Sequence, residues 1–228
     1  MKTLSELANL YATDKREADH NYVTFYEKYF EPLRDLKLNI CEIGILEHPD
    51  KINRPYGGAS LLMWRDYFHN SGIYGIDIND HSYLNKEERI RTYVADQSNR
   101  EQLGKMFNDL QMDIIIEDGG HWMHQQQISL GMLFKNVKPG GIFVIEDLHT
   151  SHPDKSYNNE PSLCSGQIFK RYENETLTLD MLEKYCETNV IESNVMTTQE
   201  IQYLNDNIDK IVIEHARFSP IAFIFKKR

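Results

Sequence analysis

Apolar and polar positions along this chain fall into two kinds of block. Short, strand-like apolar runs are "LNICEIGI" (38–45), "GIYGIDI" (72–78), "IRTYVAD" (90–96), "DIIIED" (113–118) and "GIFVIED" (141–147), and Ile114-Ile115-Ile116 reads as buried on both faces. Between them "ASLLMWRDYF" (59–68), "REQLGKMFNDL" (100–110) and "MHQQQISLGMLFKNV" (123–137) carry helical spacing. Pro139-Gly140-Gly141 is expected to stop the last of these helices and turn the chain into the next strand. Strands alternating with helices imply a parallel sheet covered by helices. Near the end, "KIVIEH" (210–215) and "IAFIFKK" (221–227) are separated only by "ARFSP". Five residues cannot make a parallel crossover, so these two strands should form an antiparallel hairpin. The expectation is an α/β, Rossmann-like sheet, mostly parallel, with a C-terminal antiparallel hairpin.

Two stretches fall outside this alternation. Residues 1–36 contain "NYVTFYEKYF", with Tyr22, Tyr26 and Phe30 at fourfold spacing, which reads as a helical N-terminal cap. Its aromatic stripe can dock on the domain, cover a ligand, or do both. The second stretch, "HTSHPDKSYNNEPSLCSGQ", is polar and follows the fifth strand, so 149–175 is read as an acceptor or active-site loop. No linker or repeat divides the chain, and 1–228 is expected to be a single domain.

Composition narrows the function classes. A formal charge of −10 argues against a nucleic-acid partner held through a basic surface. There is no membrane-length apolar run, and the N-terminus lacks the apolar core of a signal peptide. Cys41, Cys164 and Cys186 are odd in number and far apart, so a reducing cytoplasm is the simplest expected compartment. A homo-oligomer is compatible with all of this.

The strand ends carry the candidate chemistry. A dinucleotide site wants G-x-G-x-x-G after the first strand, to cradle a pyrophosphate. Here only Glu42-x-Gly44 stands, followed by a long insertion before Gly57-Gly58 and a helix beginning near Ala59 and Ser60. A nucleoside ligand without phosphates, such as S-adenosylmethionine (SAM), needs no such cradle. Asp77 at the second strand end can accept hydrogen bonds from ribose hydroxyls, and Asp96-Gln97 at the third lie within reach of an adenine. Each alone reads equally well as a turn residue. The expected cofactor contacts are Glu42, Gly44, Ser60, Asp77, Asp96, Gln97 and Glu117.

Asp118 closes the fourth strand and Glu146-Asp147 the fifth. Neighbouring strands would point both acidic pairs into one crevice, where carboxylates repel unless a cation sits among them. All-oxygen ligands suit a hard divalent ion, Mg²⁺ or Mn²⁺. The competing reading is a pair of helix N-caps. His121, across Gly119-Gly120 from Asp118, is placed to take a proton from an acidified hydroxyl near neutral pH.

"LYATDK…HNYVTFYEKYF", "EIGI", "GASLLMWRDYF", "IYGIDI", "ADQSN", "IIIEDGGH…HQ" and "LFKNVKPGGIFVIEDL" together resemble the metal-dependent sugar O-methyltransferases of natural-product pathways, from about Leu10 to Leu148. The resemblance implies a class I SAM-methyltransferase fold and Mg²⁺-assisted methyl transfer to a sugar hydroxyl. It implies Asp118, Glu146 and Asp147 as metal ligands and His121 as base. Glu117 and Gly120 stand where the family more often has aspartate and serine. The chain is shorter than the macrolide enzymes, so a nucleotide-linked or glycan sugar is as much expected as a natural-product sugar. Lys15, Tyr22, Tyr26 and His149 are candidate acceptor contacts. The alternatives are methylation of a catechol-like hydroxyl and a non-catalytic accessory protein of the same fold.

Overall fold

A computed structural model of the chain describes residues 1–45, 57–107, 110–151 and 175–228. Among the described residues seven strands make one sheet: β1 (Asn39–Ile43), β2 (Gly72–Asp77), β3 (Ile90–Val94), β4 (Met112–Glu117), β5 (Val137–Ile145), β6 (Ile208–His215) and β7 (Pro220–Lys226). Their order is β3-β2-β1-β4-β5-β7-β6. The first five run parallel, whereas β7 is antiparallel to both β5 and β6. The expected hairpin is therefore present, and β7 enters the sheet ahead of β6.

The order reverses between β1 and β4. Crevices for ligands open at such a reversal, outside the carboxyl ends of the strands. In β4 the period-two rule separates the isoleucines: Ile114 and Ile116 pack on one face, and Ile115 on the other. The Ile114/Ile116 face is covered by α1 (Leu4–Tyr11), α2 (Val23–Phe30) and α3 (Ala59–Tyr67). The Ile115 face is covered by α4 (Arg100–Met106), α5 (Met123–Leu133), α6 (Thr178–Thr188) and α7 (Thr198–Asn207). With both faces buried, β4 has no reason to alternate apolar and polar, which is why it reads as an unbroken apolar run.

The aromatic stripe of α2 is core. Tyr26 and Phe30 pack edge-on and tilted against Trp64, Phe68 and Phe223, and all five rings are fully buried.

One expectation about the turns is corrected. The helix at 123 ends at Leu133 and passes through a 3₁₀ turn, Phe134–Asn136, while Pro139-Gly140-Gly141 lies inside β5. The β4–β5 register shifts between Met112 and Ile114, Gly140 has φ +78°, and a Cβ on Gly141 would sit 2.6 Å from the Asp113 carbonyl oxygen. These three residues form a bulge within the strand, not a turn before it. Among the described residues no helix is long and apolar enough to cross a membrane.

Candidate active site

Three neighbouring strand tips build the site. Asp118 N–H donates to the Ile43 carbonyl (2.9 Å), and Glu146 N–H donates to the Glu117 carbonyl (2.9 Å), so the sheet ladder continues just past the ends of β1, β4 and β5. Gly44 has φ +96°, and a Cβ there would stand 1.9 Å from the Asp118 carbonyl oxygen. The glycine expected to admit a ligand is thus required first by the approach of two strand tips.

Strand parity sorts the acidic residues. Glu42, Asp118 and Glu146 continue the rows of Ile40, Ile116 and Val144, on the face covered by α1, α2 and α3. There they meet Lys15, in the segment joining α1 to α2. Its ammonium lies 2.5 Å from Asp118 Oδ2, 2.9 Å from Glu146 Oε2 and 3.3 Å from Glu42 Oε1. Burial pushes the Lys15 pKa down, but these carboxylates outweigh it and hold the ammonium well above its usual range. Trp64 Nε1–H donates to Glu42 Oε2 at 3.2 Å. Burial lifts Glu42 to about 7 against the pull of Lys15, and it raises Asp118 and Glu146 as well.

Tyr26 donates its hydroxyl to Glu146 Oε1, and Tyr22 donates to Asp147 Oδ1 at 2.7 Å. The structure therefore redirects three expected acceptor contacts. Lys15, Tyr22 and Tyr26 are each no more than 1% exposed and spend their protons on carboxylates, which leaves no surface for an acceptor. Sequence reasoning missed this role for Lys15, although three acids at adjacent tips already called for a cation.

Asp147 is ringed by imidazoles. His121 Nε2 lies 3.3 Å from its Oδ2, and His20 Nδ1 and His149 Nδ1 lie 3.5 and 3.7 Å from its Oδ1. Burial raises its pKa, but His121, His20, His149 and the Tyr22 hydrogen bond prevail and bring it to about 2. Both Asp147 (φ +53°) and His121 (φ +58°) take the left-handed conformation that non-glycine residues avoid. Thr150 Oγ1–H donates to the His121 carbonyl at 2.8 Å and fixes that turn. Burial lowers the His121 pKa, yet Asp147, Asp118 and Glu117 more than compensate and raise it. His121 Nδ1 is buried with no hydrogen-bond partner among the described residues. His149 is half-committed elsewhere: its Nδ1 lies 2.9 Å from Ser219 Oγ.

Asp118, His121 and Asp147 each present a ligand atom within 4.8 Å of the others, close enough to surround one ion. Glu146 adjoins this group, and its two oxygens, each bonded once to Lys15 or Tyr26, retain lone pairs. Carboxylates buried and packed this tightly carry more negative charge than Lys15 alone offsets. The donor set fits a hard divalent cation.

On the opposite face Glu117 is fully buried and accepts from Gln97 Nε2–H at 2.7 Å, while its Oε2 has no hydrogen-bond partner among the described residues. Gln97 Oε1 accepts from Gly120 N–H at 2.9 Å. Gln97, expected to reach an adenine, bonds both Glu117 and the turn that carries His121. Asp77 accepts from the amides of Ile45 and Asn79, both at 2.7 Å, and Asp96 Oδ1 accepts from the Ser98 amide and hydroxyl. Asp96 thus holds its own turn, while Asp77 ties its turn to the segment after β1, and both keep lone pairs for a ribose or base. Ser60 bonds Glu42 through its side chain. The insertion after β1 and nearly all of the 149–175 loop lie outside the described residues.

No family model matches the chain. It is 37% identical over 167 residues to the mycinamicin VI 2''-O-methyltransferase of Micromonospora griseorubida, covering 72% of this chain and 40% of that protein. It is 38% identical over 150 residues to the 8-demethyl-8-alpha-L-rhamnosyl tetracenomycin-C 2'-O-methyltransferase of Streptomyces olivaceus, covering 65% and 38%. Among solved structures it resembles the mycinamicin-pathway methyltransferase MycE in complex with Mg, SAH and mycinamicin VI. That match has TM-score 0.76 and 30% identity, and covers 100% of this chain and 55% of the other. The chain spans about half the length of that structure and less of the curated relatives.

Proposed function

We propose that this chain, a homologue of the macrolide and tetracenomycin sugar O-methyltransferases with their class I fold, transfers a methyl group from SAM to a sugar hydroxyl with the help of a divalent cation. The observation that carries the reading is the convergence of Asp118, His121 and Asp147 at adjoining strand tips beside Glu146.

Asp118, Glu146 and Asp147 would hold the ion. Bound there, a Mg²⁺ or Mn²⁺ ion supplies Lewis acidity that lowers the pKa of a hydroxyl beside it. Asp147 lies 3.3 Å from His121 Nε2 and would orient the imidazole, which receives the proton of that hydroxyl. The hydroxyl oxygen forms a bond to the methyl carbon, and the bond from that carbon to the sulfonium sulfur breaks. The products are a methyl ether, S-adenosylhomocysteine and a proton on His121. Nucleophile and sulfonium lose opposite charges together, so a site that excludes water favours the step. Gly44, Asp77, Asp96, Gln97 and Glu117 would form the cofactor side in this reading, while Glu42 and Ser60, expected there too, are bonded to each other on the Lys15 face; His149 would stand at the acceptor rim.

Labelled SAM offered with free, nucleotide-linked and glycoside-borne deoxyhexoses, and with catechols, tests the reading. Label in a sugar methyl ether is expected, and His121→Asn lowers its rate by about 10²–10⁴-fold. Label in catechols alone, or in no acceptor, contradicts it.

A further inference from the structure

Three carboxylates on one face of the sheet share one ammonium. Lys15 Nζ is within 3.3 Å of Glu42, Asp118 and Glu146, and the side chains of Lys15, Glu42 and Glu146 are at most 1% exposed. The segment that carries Lys15 is fixed from both ends. Its carbonyl accepts from Val23 N–H at the start of α2, and Thr13 N–H donates to Ala8 of α1. The ammonium is therefore delivered to the strand tips by the docking of the N-terminal helices, and it does not wander in from solvent. A buried ammonium is stabilised where carboxylates face it, and buried carboxylates keep their charge where a cation faces them.

We propose that Lys15 is an internal counter-cation: it holds Asp118 and Glu146 in position and keeps the chain folded when no divalent ion is bound. The ion and Lys15 then neutralise the same cluster from two sides, so each is needed more when the other is missing. The proposal rests on reading Asp118 and Glu146 as ion ligands. It makes Lys15 a positioning residue rather than a contact for acceptor or cofactor, since its side chain is only 1% exposed and its ammonium is shared among three carboxylates.

Thermal unfolding of the full chain, in EDTA and in saturating Mg²⁺, tests it with Lys15→Met. Removing one partner of a buried ionic cluster leaves uncompensated charge, so in EDTA the variant should melt about 10 °C below the wild type. Because Mg²⁺ supplies the missing positive charge, it should at least halve that deficit. The double variant Lys15→Met/Glu42→Gln removes one of the stranded charges and touches no proposed ligand. It should regain part of the loss in EDTA, and it keeps the test decisive if the single variant does not fold there. A wild type that responds to Mg²⁺ alongside a deficit equal in both buffers makes Lys15 a packing residue and overturns the proposal alone. A wild type that responds to neither Mg²⁺ nor Mn²⁺ overturns the ion reading first, and this proposal with it.

Discussion

Glu117 and Asp118 are consecutive, yet they end in different environments because a strand alternates its faces. Asp118 joins Lys15 and the proposed ion, whereas Glu117 is buried against Gln97. Burial outweighs the opposing effects of His121 and the Gln97 hydrogen bond and lifts the Glu117 pKa to about 7. An acid whose folded pKa lies above its unfolded value is bound to its proton more tightly in the folded state. The unfolded chain ionises first as pH rises, so native stability falls between about 4.5 and about 7 and the full penalty applies above that. Glu117→Gln keeps the hydrogen bond from Gln97 and removes the charge. Thermal melts should show a rise of roughly 4–8 °C at pH 8, corresponding to about 2 kcal/mol, and little change at pH 5. The reverse order would mean that Glu117 is charged and compensated in the folded chain.

At the level of elements, the central strands were legible because both their faces are buried. Continuous apolar runs marked β1, β2, β4 and the end of β5, and a five-residue gap marked the hairpin. Pro139-Gly140-Gly141 misled because a proline and two glycines signal a turn and a strand bulge equally well. Gly44 was legible as a special position, but its cause was not: a carbonyl from the non-adjacent segment at Asp118 is invisible in the sequence. Gly44→Ala should force the tips of β1 and β4 apart. A left-handed alanine overlapping that oxygen should destabilise the chain by about 3 kcal/mol or more, read as a fall in the urea midpoint. An unchanged midpoint would mean that the two tips are free to separate.

Across the whole molecule, the carboxylates and His121 were found from sequence because they sit at strand ends, where the topology dictates proximity. Lys15, Tyr22 and Tyr26 come from the N-terminal segment, and their hydroxyls and ammonium reach the same point only after the aromatic stripe of α2 has packed on Trp64 and Phe223. Nothing in local pattern predicts which end of a buried tyrosine meets an acid over a hundred residues away. The fold thus makes one core serve two tasks: its aromatic rings dock the cap, and their polar tips hold the acidic cluster. Charge is the common thread. A chain of net charge −10 concentrates buried acids where the methyl donor and the hydroxyl are proposed to meet, and Lys15 and the proposed ion would offset them.

The most direct test is methyl transfer from labelled SAM to a sugar acceptor, followed before chelation, after complete chelation, and after Mg²⁺ is restored. Loss of transfer on chelation and its return with the ion is the expected result. Transfer that continues undiminished in the chelated protein would contradict the central claim.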